Sequence, residues 1–208
     1  MNKIDSNIYN NLELLPEDLQ GWNGNSGVFH RLIAEINPTR IIEVGTWKGQ
    51  SAINMAQYCK DINLQTDIIC VDTWLGAMEF WGELKDTPER NLLLKNGYPQ
   101  IYYQFLSNVV HRGLESYIQP FPTTSLIAAR FFKKENITSK LIYLDASHDY
   151  EDILIDLKNY YPLLEENSIL FGDDYFAWPG VKKAVDEFVS DNNLNLTIEE
   201  NNFWIIRK

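Results

Sequence analysis

Ile-Ile-Glu-Val-Gly-Thr-Trp-Lys-Gly-Gln-Ser, residues 41–51, is the stretch on which the fold of this chain turns. Three apolar residues, Ile41, Ile42 and Val44, run directly into a Gly-x-x-x-Gly pair, Gly45 and Gly49. Behind them Ala52, Met55, Ala56 and Cys59 recur at the spacing of one helix face. Strand, tight turn and helix in that order open an α/β sheet whose ligand crevice lies beyond the carboxyl ends of its strands. Gly45 permits a sharp backbone turn, and Gly49 is expected to let a ligand approach where a Cβ would intrude. Glu43 is the odd residue in an apolar strand. A carboxylate there is costly without a partner, so it is expected to meet a cation or a row of N–H groups.

The next strand, residues 67–72, ends in an acid, Asp72. A carboxylate at that place commonly accepts hydrogen bonds from ribose hydroxyls. The dinucleotide fingerprint Gly-x-Gly-x-x-Gly is not met, because Trp47 occupies the place of the glycine that admits a pyrophosphate. Glu43, Gly45, Gly49 and Asp72 together suggest an adenosine ligand with no phosphate. The pattern resembles the class I S-adenosylmethionine-dependent methyltransferases.

The chain has 208 residues, expected to form one domain with an N-terminal arm (1–27) and a lid-like insertion (73–113). Its 29 acidic and 18 basic residues leave a formal charge of −11, broken only by Lys133-Lys134 and Lys182-Lys183. Nucleic acid and anionic membrane are therefore poor partners. Cys59 and Cys70 both lie in apolar periodic segments and read as buried free thiols of a reducing cytosol. No signal-peptide succession and no membrane-spanning apolar run is present, so a cytoplasmic location is expected.

Taken in order, residues 1–27 are polar, with a short helix expected at 16–19 and a mobile glycine-rich stretch, Gly21-Trp22-Asn23-Gly24-Asn25-Ser26-Gly27. A helix over 28–36, carrying His30, precedes the first strand. In the long insertion, Ile101, Phe105 and Val109 predict a helix over 101–110. Insertions of this length are usually functional. Residues 117–121 read as the third strand, and Pro122-Thr123-Thr124-Ser125 starts a helix with a hydroxyl cap. The fourth strand, 140–144, ends at Asp145; the fifth, 168–171, ends at Gly172-Asp173-Asp174. Between them a helix presents Tyr150, Ile153, Leu154, Leu157, Tyr161 and Leu164 on one face, kinked or shortened at Pro162. Pro179-Gly180 opens another helix, and runs 194–198 and 203–206, separated by Glu199-Glu200-Asn201-Asn202, form an antiparallel hairpin at the sheet edge. The fold expected is a doubly wound, Rossmann-like seven-stranded sheet, mostly parallel with an antiparallel C-terminal hairpin.

Asp145, Asp173 and Asp174 close strands that would be neighbours, about 4.8 Å apart. Three converging carboxylates repel one another and raise each other's pKa. A divalent cation such as Mg²⁺ would resolve this; the other reading is that Asp174 caps a helix and Asp145 makes one loop hydrogen bond. His148, three residues after Asp145, could take a proton from a hydroxyl nucleophile, ligate the metal or orient the loop. Thr123, Thr124 and Ser125 lie where an adenine ring would sit, and could bind it or simply cap the helix.

The succession Ile-Glu-Val-Gly-Thr-Trp-Lys-Gly, Val-Asp-Thr-Trp, Tyr-Leu-Asp-Ala-Ser-His-Asp-Tyr-Glu-Asp and Gly-Asp-Asp-Tyr is similar to the metal-dependent O-methyltransferases that modify sugars of natural products, the macrocin type. The likeness covers residues 28–190 with the motifs in order. It implies cofactor contacts at Glu43, Gly45, Ser51 and Asp72, and metal ligands Asp145, Asp173 and Asp174; Thr46, Gly49, Thr124, Ser125 and Asp145 complete the expected cofactor-binding set. Catechol-type relatives carry Asp-Asn in place of Asp173-Asp174, which favours the sugar-modifying branch. The implied reaction is O-methyl transfer from S-adenosylmethionine to a hydroxyl of a small molecule such as a sugar, with Asp145 or His148 taking the proton. Trp74, Phe80, Trp81, Tyr98 and Tyr102 are candidates for an aromatic lid, or for core beneath the insertion. A homo-oligomer is left open. The rival readings are an oxidoreductase or hydrolase on a similar sheet, and a nucleoside-binding protein without turnover.

Overall fold

Strands rich in Ile, Val and Leu need cover on both faces, and six helices among the described residues supply it. The structure is a computed structural model describing residues 6–82, 87–200 and 202–208. Seven strands form one sheet in the order β3-β2-β1-β4-β5-β7-β6. They are β1 (Arg40–Val44), β2 (Asp67–Asp72), β3 (Ile118–Pro122), β4 (Ser139–Leu144), β5 (Leu164–Gly172), β6 (Leu196–Glu199) and β7 (Phe203–Arg207). The first five run parallel, and β7 runs antiparallel to both β5 and β6. Pro120 and Pro122 have no N–H to donate to a ladder, which suits β3 to the sheet edge. The strand order reverses between β1 and β4, the place where doubly wound sheets open a crevice.

Alternation along β1 sends Ile41 to one face and Ile42 to the other. The helices α1 (Gly27–Ile36), α2 (Gln50–Asp61) and α3 (Ile101–Arg112) pack on the first face, through Phe29, Met55 and Phe105 among others. The second face is covered by α4 (Ser125–Lys134), α5 (Tyr150–Tyr160) and α6 (Pro179–Asp191), through Phe132, Leu157 and Val185. The helix expected in the insertion is α3, and Ile101, Phe105 and Val109 are fully buried, each contributing about 1.5–3 kcal/mol. Ser26 caps α1 by accepting from the Val28 N–H, and Thr124 caps α4 by accepting from the Ile127 N–H.

Some expectations are corrected. Residues 16–19 are not helical; the Asp18 N–H and carbonyl bond the Asn108 side chain of α3 instead. Leu164 is not on the α5 face. Pro162 ends α5 in a 3₁₀ turn, Tyr161–Leu163, and Leu164 begins β5, whose pairing with β4 shifts register near Ser139. The polar run Glu165-Glu166-Asn167 breaks the apolar pattern there, so the first half of β5 does not read as a strand. Parts of three expected segments, residues 1–5 of the arm, 83–86 of the insertion and Asn201 of the hairpin loop, lie outside the described residues. No helix among the described residues is long and apolar enough to cross a membrane.

Candidate active site

The turn after β1 is drawn tight by two neighbours. Gly45 has φ +87°, and a Cβ there would lie 2.1 Å from the Asp145 carbonyl oxygen at the end of β4. The Gly45 N–H donates to the Val71 carbonyl of β2 at 2.9 Å. Thr46 and Trp47 then donate their N–H groups to Asp72 Oδ2 at 2.8 and 2.9 Å, and Trp74 donates to Oδ1 at 2.7 Å. The row of N–H groups expected at Glu43 is therefore at Asp72. Burial raises the Asp72 carboxyl above its usual range, and those N–H groups oppose the shift. Three of its lone-pair directions are spoken for, so Asp72 first holds the turn together and keeps little of its carboxylate for a ribose.

Glu43 is fully buried, and among the described residues its oxygens meet hydroxyls: it accepts from Thr46 Oγ1 at 2.9 Å and from Ser51 Oγ of α2. Burial pushes its pKa up to about 7, against the pull of the two hydroxyls. Gly49, φ +89°, makes room for the Phe105 ring of α3, which a Cβ would meet at 2.7 Å. The space expected to receive a ligand is thus filled by the protein, and Gly49 does not border the cavity.

That cavity, about 650 Å³, opens beyond the ends of β1, β2, β4 and β5. Gly45, Thr46, Ser51 and Asp72 line it, as do Thr123, Thr124 and Ser125 from the end of β3. Thr124 spends its hydroxyl on the cap. Ser125 donates its hydroxyl to Asp156, whose pKa burial raises to about 6.

On the other flank stand Asp145, His148, Asp173 and Asp174. Asp145 accepts from the Tyr143 hydroxyl at 2.8 Å. Its carboxyl lies well above the ordinary range because it is recessed in protein and faces the charges of Asp174 and Asp173. His148 Nε2 stands 3.0 Å from Asp174 Oδ2, and its ring stacks on Trp178 with centroids 4.4 Å apart and planes 7° apart. Asp145, His148 and Asp174 bring one ligand atom each within 4.8 Å of one another. Asp173 is turned to other work. Its Oδ2 accepts from the Asn23 amide at 2.8 Å, and its Oδ1 from the Asn202 amide at 2.6 Å and the Asp174 N–H at 2.7 Å. The gathered trio is therefore two of the expected acids with His148. Asp174 has φ +68° and Trp47 φ +51°, left-handed conformations rare for such side chains. Strain of this kind clusters at functional sites.

Of the five aromatic residues considered for a lid, only Phe80 lines the cavity. Trp74 is 2% exposed, donates its indole N–H to the Trp47 carbonyl and packs on Tyr102 and Phe105, so it is core. Trp81 and Tyr98 are exposed away from the cavity. Trp22, Trp178, Asn23, Asn202 and Arg90 were not singled out in the sequence. The arm that carries Trp22 and Asn23, expected to be mobile, is seated on α2: Gly24 donates to Gln50 Oε1 and its carbonyl accepts from Asn54, each at 3.0 Å. A tryptophan and an asparagine between two glycines was the only signal available.

A doubly wound sheet with an acidic crevice at its switch point defines the class of fold, and solved structures share that fold. The chain is similar to the O-methyltransferase NovP (TM-score 0.64, 18% identity, 87% of this chain and 78% of that one). It is similar to CalS11, a calicheamicin methyltransferase (0.61, 18%, 86% and 76%), and to TomG of Streptomyces achromogenes, an O-methyltransferase involved in tomaymycin synthesis (0.60, 14%, 93% and 82%). At such identities the likeness is one of fold. Residues 42–175 match the family described as methyltransferase domain, and the chain belongs to that family. It is also 25% identical over 150 residues to the uncharacterized protein y4gI of Sinorhizobium fredii; the match covers 69% of this chain and only 14% of that relative.

Proposed function

We propose that this protein transfers a methyl group from S-adenosylmethionine to a hydroxyl of a small molecule, a sugar or other natural product, with the help of a divalent cation. One observation carries the reading. Asp72, Glu79, Asp145, Asp173 and Asp174 line the cavity against a single arginine or lysine, Arg90, and one histidine, His148, among the described lining residues. Such a donor set suits a cationic nucleoside and repels a pyrophosphate. S-adenosylmethionine supplies a methyl group on a positively charged sulfur. Thr123 and Thr124 flank the adenine end, the remaining lone pair of Asp72 reaches a ribose hydroxyl, and Gly45, Thr46 and Ser51 shape the floor. Glu43 and Gly49 act from below, one fixing Thr46 and Ser51, the other admitting Phe105.

Asp145 and Asp174, with Asp173 behind them, are the residues that would hold Mg²⁺ or a similar cation, whose charge makes an acceptor hydroxyl more acidic. Two carboxylates beside a recessed third make a donor set fit for it. His148 takes the acceptor's proton, its ring fixed by Trp178 and by Asp174; Asp145 is the other group placed to do so. Trp22, Trp47, Phe80 and Trp178 exclude water around the acceptor. The 1–208 chain works as one domain in the cytoplasm.

Calorimetry and turnover test this. S-adenosylmethionine and S-adenosylhomocysteine bind and NAD does not; methyl transfer to a panel of sugars and phenols stops in EDTA and returns with Mg²⁺, while S-adenosylhomocysteine affinity is unchanged. Binding of NAD in their place overturns the reaction class. Full turnover in EDTA overturns the cation alone.

A further inference from the structure

We propose that Arg90 receives a carboxylate inside the cavity, and so selects a ligand group that the rest of the acidic wall would repel. The inference rests on the methyltransferase reading. Five carboxylates face the cavity, and Arg90 is the one arginine or lysine among the described residues that line it. Its guanidinium carbon sits 5.5 Å from the Trp22 ring centroid and 6.0 Å from that of Phe80. Aromatic faces hold a guanidinium by its plane and leave its edge free to bond.

Five other basic residues are committed to carboxylates. Arg31 and Arg207 pair with Glu35, Lys48 with Asp18, Arg112 with Glu17, and Lys182 with Asp186. Arg90 has no carboxylate within 4.0 Å among the described residues, although Glu79 lines the same cavity. A side chain with five N–H donors, held beside two rings at the wall of an acidic pocket and with no carboxylate partner among the described residues, is matched by an anionic ligand group. A carboxylate fits its planar fork.

Two sources carry that chemistry. The cofactor's amino-acid end bears a carboxylate, for which the five acids offer nothing; an acidic acceptor bears another. The experiment compares wild type, Arg90→Gln and Arg90→Lys by calorimetry with S-adenosylhomocysteine and with 5′-methylthioadenosine, which lacks the amino-acid part. A second arm titrates 3,4-dihydroxybenzoate and neutral 1,2-dihydroxybenzene into protein loaded with S-adenosylhomocysteine. The expected loss for the charged ligand is about tenfold or more in Arg90→Gln, partly recovered in Arg90→Lys, with the neutral partner changed less than about twofold. Such a loss in the first arm assigns the cofactor as the source, and in the second the acceptor. Unchanged affinities in both arms, or equal losses for charged and neutral ligands, overturn the inference while wild-type binding of S-adenosylhomocysteine keeps the methyltransferase reading standing. Absence of that wild-type binding overturns both.

Discussion

At the β1–α2 turn, Glu43, Thr46, Ser51 and Asp72 satisfy one another. Each carboxylate oxygen accepts a hydroxyl or a backbone N–H from within a few residues of the turn, or from its neighbour strand's loop. At the ends of β4 and β5 the arrangement is the reverse. Asp145, Asp173 and Asp174 crowd together, Asp145 has one hydroxyl for company, and Asp173 depends on asparagines far away in the chain, Asn23 and Asn202. The first region is complete before any ligand arrives, so its residues answer to geometry. The second carries charge that its own protein leaves unbalanced, so its residues answer to what binds. Both line one cavity, and the contrast separates what shapes the site from what acts in it.

The sharpest way to break that contrast is at the turn itself. Gly45→Ala places a Cβ 2.1 Å from the Asp145 carbonyl and keeps φ at +87°. A steric and conformational penalty together is expected to cost about 4 kcal/mol or more in urea denaturation. Gly97→Ala is the control, because Gly97 has φ +80° with nothing within 4 Å of the added atom; it should cost about 1–2 kcal/mol. Equal losses at the two glycines would mean that backbone conformation, not the meeting of β1 with β4, sets the turn.

Glu43 tests the turn's self-sufficiency through pH. Its pKa is raised from 4.5 to about 7, so the folded protein holds that proton more tightly than the unfolded chain. The stabilisation is complete below about pH 4.5 and is lost as pH rises through about 7. Glu43→Gln keeps a hydrogen-bonding side chain without the charge. Its stability relative to wild type should climb across that window, by on the order of 3 kcal/mol between pH 4.5 and pH 8. A difference that does not vary with pH would show that the carboxylate is ionised throughout, and that the hydroxyls of Thr46 and Ser51 outweigh burial.

How far the sequence discloses each region follows from the same contrast. The turn is legible because its contacts are local: an apolar strand, two glycines and a helix face lie consecutively in residues 41–59, and the strand ending in Asp72 follows next. Even so, the partners of Glu43 and Asp72 are exchanged relative to expectation, since spacing shows that a carboxylate needs donors and not which donors reach it. The acidic edge was legible only in its acids, because strand ends can be ordered from hydrophobic pattern alone. Asn23, Asn202, Trp22 and Trp178 arrive by tertiary packing across long separations, and nothing in a polar or glycine-rich stretch marks them. Gly49 was misread for a related reason. A positive φ and a tight contact were foreseeable, but Phe105, the ring that makes the contact, comes from α3 in the insertion.

The smallest effect distinguishes two acids of the unbalanced region. Asp145 accepts one hydrogen bond, from Tyr143, and faces the charges of Asp174 and Asp173. Its raised pKa means that ionising it in the folded state destabilises the protein as pH rises, so Asp145→Asn should gain stability at pH 8 and gain nothing at pH 4. Asp173 is raised by burial too, but two side-chain amides and the Asp174 N–H donate to its oxygens. An asparagine there would turn an NH₂ group toward one of those donors, leaving it unpaired at a cost of about 1–3 kcal/mol. In chelator-treated protein at pH 8, the expected changes are roughly 1 kcal/mol upward for Asp145→Asn and 1 kcal/mol downward for Asp173→Asn, melting shifts of about 2–4 °C in opposite directions. Shifts of the same sign would erase the distinction between an acid held by the protein and an acid left for a ligand. Asp173 would then stand with Asp145 and Asp174 as an equal ligand, and Asn23 and Asn202 would be neighbours that happen to touch it.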